Sequence, residues 1–336
     1  MKTSFAVCRA GALALGLVAM TAPGRADEEH TSLAIPTISL GFLSRYIAED
    51  EHLWEKQGLD VKILHIQGVG SMNAVISGSV DFSMSSGPSI TRANAHGRKL
   101  VALATTINQS DEDIVIRKDI AEKLHFDPRA PLKERAKILK GLTIAVGGVG
   151  AIPDIVLKAV AHEAGIARDQ VIATPLQPEA TLAAFARKSI DGFVVGAPYI
   201  QEVVLNGTGV ILSDTTKGEP TRYSPVSSAL LLTRAEMCQE HRSICAKMVR
   251  GIVEATKFIH DHPKESLAIM KAHFGHYDAK VLEAAYPMIE TLTPYPPVTT
   301  PQMLENADLL NIAAGFMTEA DKLPRYDTII DNDFIK

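Results

Sequence analysis

The stretch Ser79–Ser89, SVDFSMSSGPS, sets apolar Val80, Phe82 and Met84 in alternation with Asp81 and Ser83. That period of two predicts a strand. It runs into Ser85, Ser86 and Gly87 ahead of Pro88, a residue suited to the first turn of a helix. Further on, Ser189–Pro198 reads SIDGFVVGAP, with Ser, Asp and Pro in the same places; 191 − 81 and 198 − 88 both give 110. Two buried strands thus end in small residues and open into helices, at a fixed separation.

The surrounding elements repeat in the same order. Before the first motif come a strand in SLAIPTISLG, a helix over Phe42–Gln57 stopped by Gly58, a strand Val61–Ile66, and a short helix Met72–Ser77 capped by Ser71. After it come a helix to Gly97 and a strand Leu100–Ile107. The second round has a strand and Gly-rich loop in LTIAVGGVG and a helix ending at Gly165. A strand Val171–Thr174, a helix Pro178–Arg187, the motif, a helix Tyr199–Leu205 and a strand Gly209–Ser213 follow. Alternation of this kind predicts an α/β fold in two lobes related by duplication. From Ser228 one more strand, SALLLT, precedes an almost wholly helical region that includes Ile244–His262. Packing of those helices on the first lobe requires two crossings, near Ser110–Ile114 and Thr221–Ser228. The expected division is a leader at 1–26, a first lobe at 30–112 plus 225–336, and a second lobe at 113–224.

The chain has 336 residues and a formal net charge of −5 without a basic block, which argues against nucleic-acid binding. Lys2 and Arg9 precede the apolar run Ala10–Met20, and helix breakers follow, the order of an export signal cleaved after Ala26 or Ala22. Cys8 leaves with the signal, so Cys238 and Cys245 remain in an oxidising compartment. In one straight helix the pair would stand about 10 Å apart, too far to bond. A break near Glu240–Arg242 would let them form a disulfide.

In open parallel sheets, ligands bind beyond the carboxyl ends of the strands. The loops that reach such a cleft are Pro36–Ser39, Gly68–Ser71, Ser85–Ser89 and Thr105–Asn108 in one lobe. In the other they are Gly147–Ala151, Gln177–Glu179 and Gly196–Tyr199. Most residues are small or hydroxyl-bearing, and many lead into helix N-termini, where free N–H groups favour an anion. Neither GVG at Gly68–Gly70 nor that at Gly148–Gly150 completes a nucleotide-binding fingerprint. The histidines at 260, 262, 273 and 276 lack neighbouring cysteines or clustered acids for a metal. No nucleophile elbow is present, and no cofactor is expected.

The leader, FLSRYIAEDEHLWEKQGLDVKI, SGSVDFSMSSGPSI and GLTIAVGGVGA together resemble the solute-binding proteins of ABC importers, and more narrowly the nitrate/sulfonate/taurine group and its thiamine-pyrimidine-precursor relatives. The likeness covers about Leu33 to Phe274. It implies a two-lobed periplasmic-binding-protein type II fold, each lobe a mainly parallel sheet flanked by helices, with a double crossover. It also implies a periplasmic monomer that takes a small organic, anionic solute such as a sulfonate or carboxylate and hands it to an inner-membrane permease. A pyrimidine-precursor binder or synthase of the same fold, or a ligand sensor for a membrane kinase, are the alternatives; the synthase's cysteine-rich motif is missing. Carried over by motif position, the ligand-binding residues are Thr37, Ser39, Phe42, Gly70, Ser71, Ser85, Ser86, Thr106 and Asn108 on one wall. The other wall has Gly148, Val149, Gly150, Ala197 and Tyr199. Sulfonate binders often add a tryptophan there, whereas Trp54 falls in the first helix and Tyr199 supplies the aromatic face. Arg45 is the candidate for an oxyanion grip. A heterocycle or organic acid held by hydroxyls and N–H groups fits these residues as well as a sulfonate does.

Overall fold

A computed structural model describes Met1 and residues 29–335; the expected leader at 1–26, with Cys8, lies outside the described residues. Ten strands form two five-stranded sheets. The first sheet has the order β2 (Leu59–His65), β1 (Glu29–Ile35), β3 (Phe82–Ser85), β10 (Ala229–Arg234), β4 (Leu100–Ile107). The second has the order β7 (Ile172–Pro175), β6 (Thr143–Val146), β8 (Gly192–Val194), β5 (Ile114–Arg117), β9 (Gly209–Ser213). The sequence motifs are β3 and β8. Each lies parallel to the opening strand of its sheet, with Leu33 beside Phe82 and Ile144 beside Gly192. Each sheet also holds one antiparallel strand, β10 against β3 and β4, and β5 against β8 and β9. The sheets are therefore mixed, and β5 is a strand that the sequence pattern did not single out.

The repeated aspartate explains the common register. Asp81 Oδ2 accepts from Thr31 Oγ1, Ser32 N–H and Ser32 Oγ, and Asp191 Oδ2 accepts from the Thr143 N–H. Each ties the start of its strand to the strand beside it. The duplication reaches the inserted strands too. Arg234, at the end of β10, donates to the Val80 carbonyl, and Arg117, at the end of β5, donates to the Ile190 carbonyl.

The first lobe carries helices α1 (Leu43–Asp50), α2 (Gly70–Ile76) and α3 (Gly87–Ala95). The second carries α4 (Lys118–Lys123), α5 (Leu132–Arg135), α6 (Ile152–Glu163), α7 (Pro178–Ala186) and α8 (Tyr199–Leu205). The C-terminal set is α9 (Ala235–Glu240), α10 (Arg242–Asp261), α11 (Pro263–His273), α12 (Ala279–Leu292) and α13 (Pro301–Ala314). The first helix is shorter than its apolar spacing predicts. It stops at Asp50, and His52 takes a positive φ of 53°. That turn drops Trp54 into the core, where its Nε1 donates to the Met248 carbonyl and its ring fills the space above Gly251. Ser71 is not a cap either: it lies inside α2 and donates to the Gly68 carbonyl.

The expected helix break falls at His241, between α9 and α10, and Cys238 and Cys245 are joined in a disulfide with their Cα atoms 5.5 Å apart. The main core lies between the first sheet and α1, α10, α11 and α12, with Leu33, Ile47, Met84, Leu231, Ile252 and Ile289 fully buried. Helix α13 packs on both lobes, against α6 and against α3, where Asn311 Nδ2 donates to the Pro88 carbonyl. Leu310 and Ala313 meet Ile155 and Ala159 in a small core of their own, joined by Tyr223 and Val226. Among the described residues, no helix is long and apolar enough to cross a membrane.

Candidate ligand-binding site

The chain leaves the first sheet after Ile107, joins the second at Ile114, and returns between Ser213 and Ala229. The two crossings are bonded to each other. Val226 N–H donates to the Asn108 carbonyl, Ser228 N–H to the Ile107 carbonyl, and Ser228 Oγ to Asp111 Oδ1 at 2.9 Å. Beside this double crossing, at the carboxyl ends of β1, β3, β6 and β8, lies a cavity of about 130 Å³.

Six of the sequence-predicted residues line it: Thr37, Ser39, Phe42, Ser85, Ser86 and Tyr199. Ser39 caps the turn into α1 by accepting from Gly41 N–H, which fixes the loop after β1. Ser86 donates to Ser89, also in the wall, at 3.0 Å. Across the cavity stand Val195 and Gly196, the counterparts of Ser85 and Ser86, so the polar and apolar walls face one another. The Tyr199 ring is almost fully buried, edge-on to Tyr277 with centroids 5.5 Å apart, and its hydroxyl donates to Glu179 at 3.2 Å. Burial pushes the Tyr199 hydroxyl pKa well above the ordinary phenol value, so it stays a hydrogen-bond donor.

The other predicted positions lie off the lining, each for a local reason. Gly70 opens α2, and only Gly68 and Val69 before it reach the wall; Ser71 is buried beneath. Thr106 and Asn108 belong to the β4 edge, which β10 separates from β3 and hence from the cavity. Asn108 spends its backbone on Leu292 and Val226. The loop Gly148–Gly150 turns outward: Val149 is 64% exposed, Gly150 N–H donates to Asp154, and only Gly147 and Ala151 at the loop's ends line the wall. Ala197 is fully buried in the apolar core. Arg45 is also absent from the lining. It pairs with Glu49 and lies over the Tyr46 ring at 3.5 Å.

Sequence reasoning passed over two residues of the first crossing, Asp111 and Glu112, both in the lining. Asp111 is only 5% exposed. A Cβ on Gly41 would stand 2.8 Å from its Oδ2, and one on Gly196 3.2 Å. A glycine from each lobe therefore leaves room for this carboxylate. Glu112 is part-buried, and its Oε2 is sealed without a hydrogen-bond partner. Burial raises the pKa of Asp111, and burial with the neighbouring Asp111 and Asp113 raises that of Glu112 further. Asp113, outside the lining, is pushed up to about 7 by burial and the charge of Asp214, against hydrogen bonds from Thr215 and Thr216. The signal that could have found them is the unbroken acid triplet at the predicted crossing, where two sheets converge.

Residues 40–266, more than half of the chain, match the family described as NMT1/THI5 like. The chain belongs to that family. A similar protein of Brucella abortus (strain 2308), named as a provisionally assigned binding protein, is 26% identical over 73% of this chain and 74% of that one. Solved structures share the fold. A protein of Bordetella bronchiseptica RB50 aligns at a TM-score of 0.78 with 18% identity, over 91% of this chain and 95% of that one. The alkanesulfonate-binding protein SsuA of Xanthomonas axonopodis pv. citri, bound to MOPS, aligns at 0.70 with 15% identity, over 91% and 99%. The nitrate-binding protein NrtA of Synechocystis PCC 6803 aligns at 0.66 with 14% identity, over 91% and 86%.

Proposed function

We propose that this NMT1/THI5-like protein is the solute-binding component of an ABC importer. In this reading it works in the periplasm, holds a small organic molecule between its two lobes and presents it to a membrane permease. The observation that carries the reading is the cavity at the carboxyl ends of both sheets, walled from both sides and flanked by the two crossings. The structural neighbours named as sulfonate- and nitrate-binding proteins support it. The lobes divide near residues 112/113 and 224/225. Thr37, Ser39, Phe42, Ser85, Ser86 and Tyr199 contact the solute, which each lobe holds only in part, so that binding favours closure.

The test is to denature the purified protein and identify any released small molecule by mass spectrometry. The released compound is then added back in a thermal-shift assay. A ligand that binds only the folded state raises the melting temperature with concentration. Turnover of a solute with no stoichiometric binding would overturn the receptor role.

A further inference from the structure

We infer that the cavity is built for a solute bearing a cationic nitrogen, a small organic ammonium or amidinium with an apolar body. This rests on the receptor reading and adds the chemical class of the solute. Among the described residues, the charged side chains of the lining are Asp111 and Glu112, and none is a lysine, arginine or histidine. Arg45 is engaged with Glu49 and Tyr46, and Arg92 donates to the Gly150 carbonyl on the far side of that loop. Both carboxyls belong to the lining, and neither has a counter-ion among the described residues.

Their geometry suits an acceptor role. Ser228 donates to Asp111 Oδ1, which favours the ionised, accepting form against the burial that raises its pKa, and Oδ2 lies against Gly41 and Gly196, 2.8 and 3.2 Å from where their Cβ atoms would stand. Glu112 adds a second carboxyl whose Oε2 has no donor. A buried carboxylate without a partner is costly, and a second one beside it adds repulsion. Burial favours the protonated form of these carboxyls in the ligand-free protein; a cation lets them ionise against it, whereas an oxyanion opposes that ionisation.

The helix starts that would favour an anion offer little to oppose this. At the start of α3, Gly87 N–H is spent on the Ser227 carbonyl at 2.7 Å, Ser89 and Ile90 N–H on the Ser86 carbonyl, and Pro88 has no N–H. Helices α6 and α7 also open with a proline, Pro153 and Pro178, both in the wall. Phe42, Ile38, Val195 and Tyr199 supply an apolar surface for the body of the solute.

Shape-matched probes of opposite charge test the inference: benzamidinium and benzylammonium against benzoate and benzenesulfonate, by calorimetry and thermal shift on the intact protein. The expected result is that the cations bind and raise the melting temperature while the anions do neither. Glu112→Gln and Asp111→Asn should each weaken the cation by about tenfold or more, the usual penalty for removing one side of a buried charge pair. Glu112→Gln should leave the ligand-free melting temperature at or above wild type, which separates lost recognition from lost folding. Binding of the anions alone, unchanged cation affinity in both variants, or silence of all four probes overturns the inference. A released native solute that is an anion at neutral pH overturns it too, while leaving the receptor reading intact. The receptor reading itself fails on a different result, turnover of a solute with no stoichiometric binding.

Discussion

In the first lobe Asp81 collects three hydrogen bonds, from the Thr31 hydroxyl and from the amide and hydroxyl of Ser32. In the second, Asp191 takes one from the Thr143 amide and has Arg117 at 3.6 Å instead. The next residue differs more. Phe82 is a fully buried ring, while its counterpart Gly192 lies so close to β5 that a Cβ would stand 2.4 Å from the Val115 carbonyl. At the strand ends, Ser85 and Ser86 oppose Val195 and Gly196 across the cavity. The two lobes therefore keep the residues that set register and change those that fill the core or line the cavity. Duplication preserves the frame, and the cleft is where the copies diverge.

The largest effects should come from exchanging core positions. Phe82→Ala should cost about 3–5 kcal/mol in urea denaturation by leaving a cavity in the first lobe. Gly192→Ala should also destabilise strongly, by about 2 kcal/mol or more, because the methyl meets backbone rather than a movable side chain. A mild Gly192→Ala would mean that β5 can slide and that the lobes are more alike than they look. Next in size are the aspartates. Asp81→Ala should cost about 2–3 kcal/mol and Asp191→Ala less, since the former leaves more donors unpaired; equal losses would put the weight on Arg117.

Exchanging the walls comes third. Ser85→Val with Ser86→Val, which gives the first lobe an apolar wall like that of the second, should abolish solute binding by calorimetry with a ligand-free melting temperature near wild type. Unchanged affinity would move the contact surface elsewhere. The last effect is a pH slope set at the outgoing crossing, whose acid triplet is largely buried. Asp113 has a folded pKa of about 7 against an ordinary 3.8. The folded state thus holds a proton that the unfolded state has released, and stability contributed by this group falls as pH rises from about 4 to 7. Asp111 and Glu112 act in the same direction. Thermal scans of the ligand-free protein should show that slope, and Asp113→Asn should make it shallower, with the remainder left to Asp111 and Glu112.

Much of the frame was legible because it rests on local pattern. The alternation at Val80, Phe82 and Met84, the glycine stops and the repeated Asp place β3 and β8. The short loops after them place Ser85, Ser86 and Tyr199 on facing walls. What was missed depends on pairings between distant parts of the chain. Nothing near Thr106 reveals that β10 will enter between β3 and β4 and hold it away from the cavity. Nothing near Trp54 reveals the groove at Gly251 into which the chain bends. The acid triplet Asp111–Asp113 has the composition of a solvated linker, and only the convergence of two sheets buries it. Gly148–Gly150 has the composition of a ligand loop, yet its carbonyl is taken by Arg92 from the opposite lobe.

The placement of β10 also fixes an order of events as the chain emerges. Every strand of the second sheet lies between Ile114 and Ser213, so that sheet can close once those residues are available. The first sheet waits for Ala229–Arg234, because β10 bridges β3 and β4, which otherwise do not touch. Until then β1, β2 and β3 stand with an open edge, a state that invites pairing with other chains. The half that begins the protein is the half that finishes folding last.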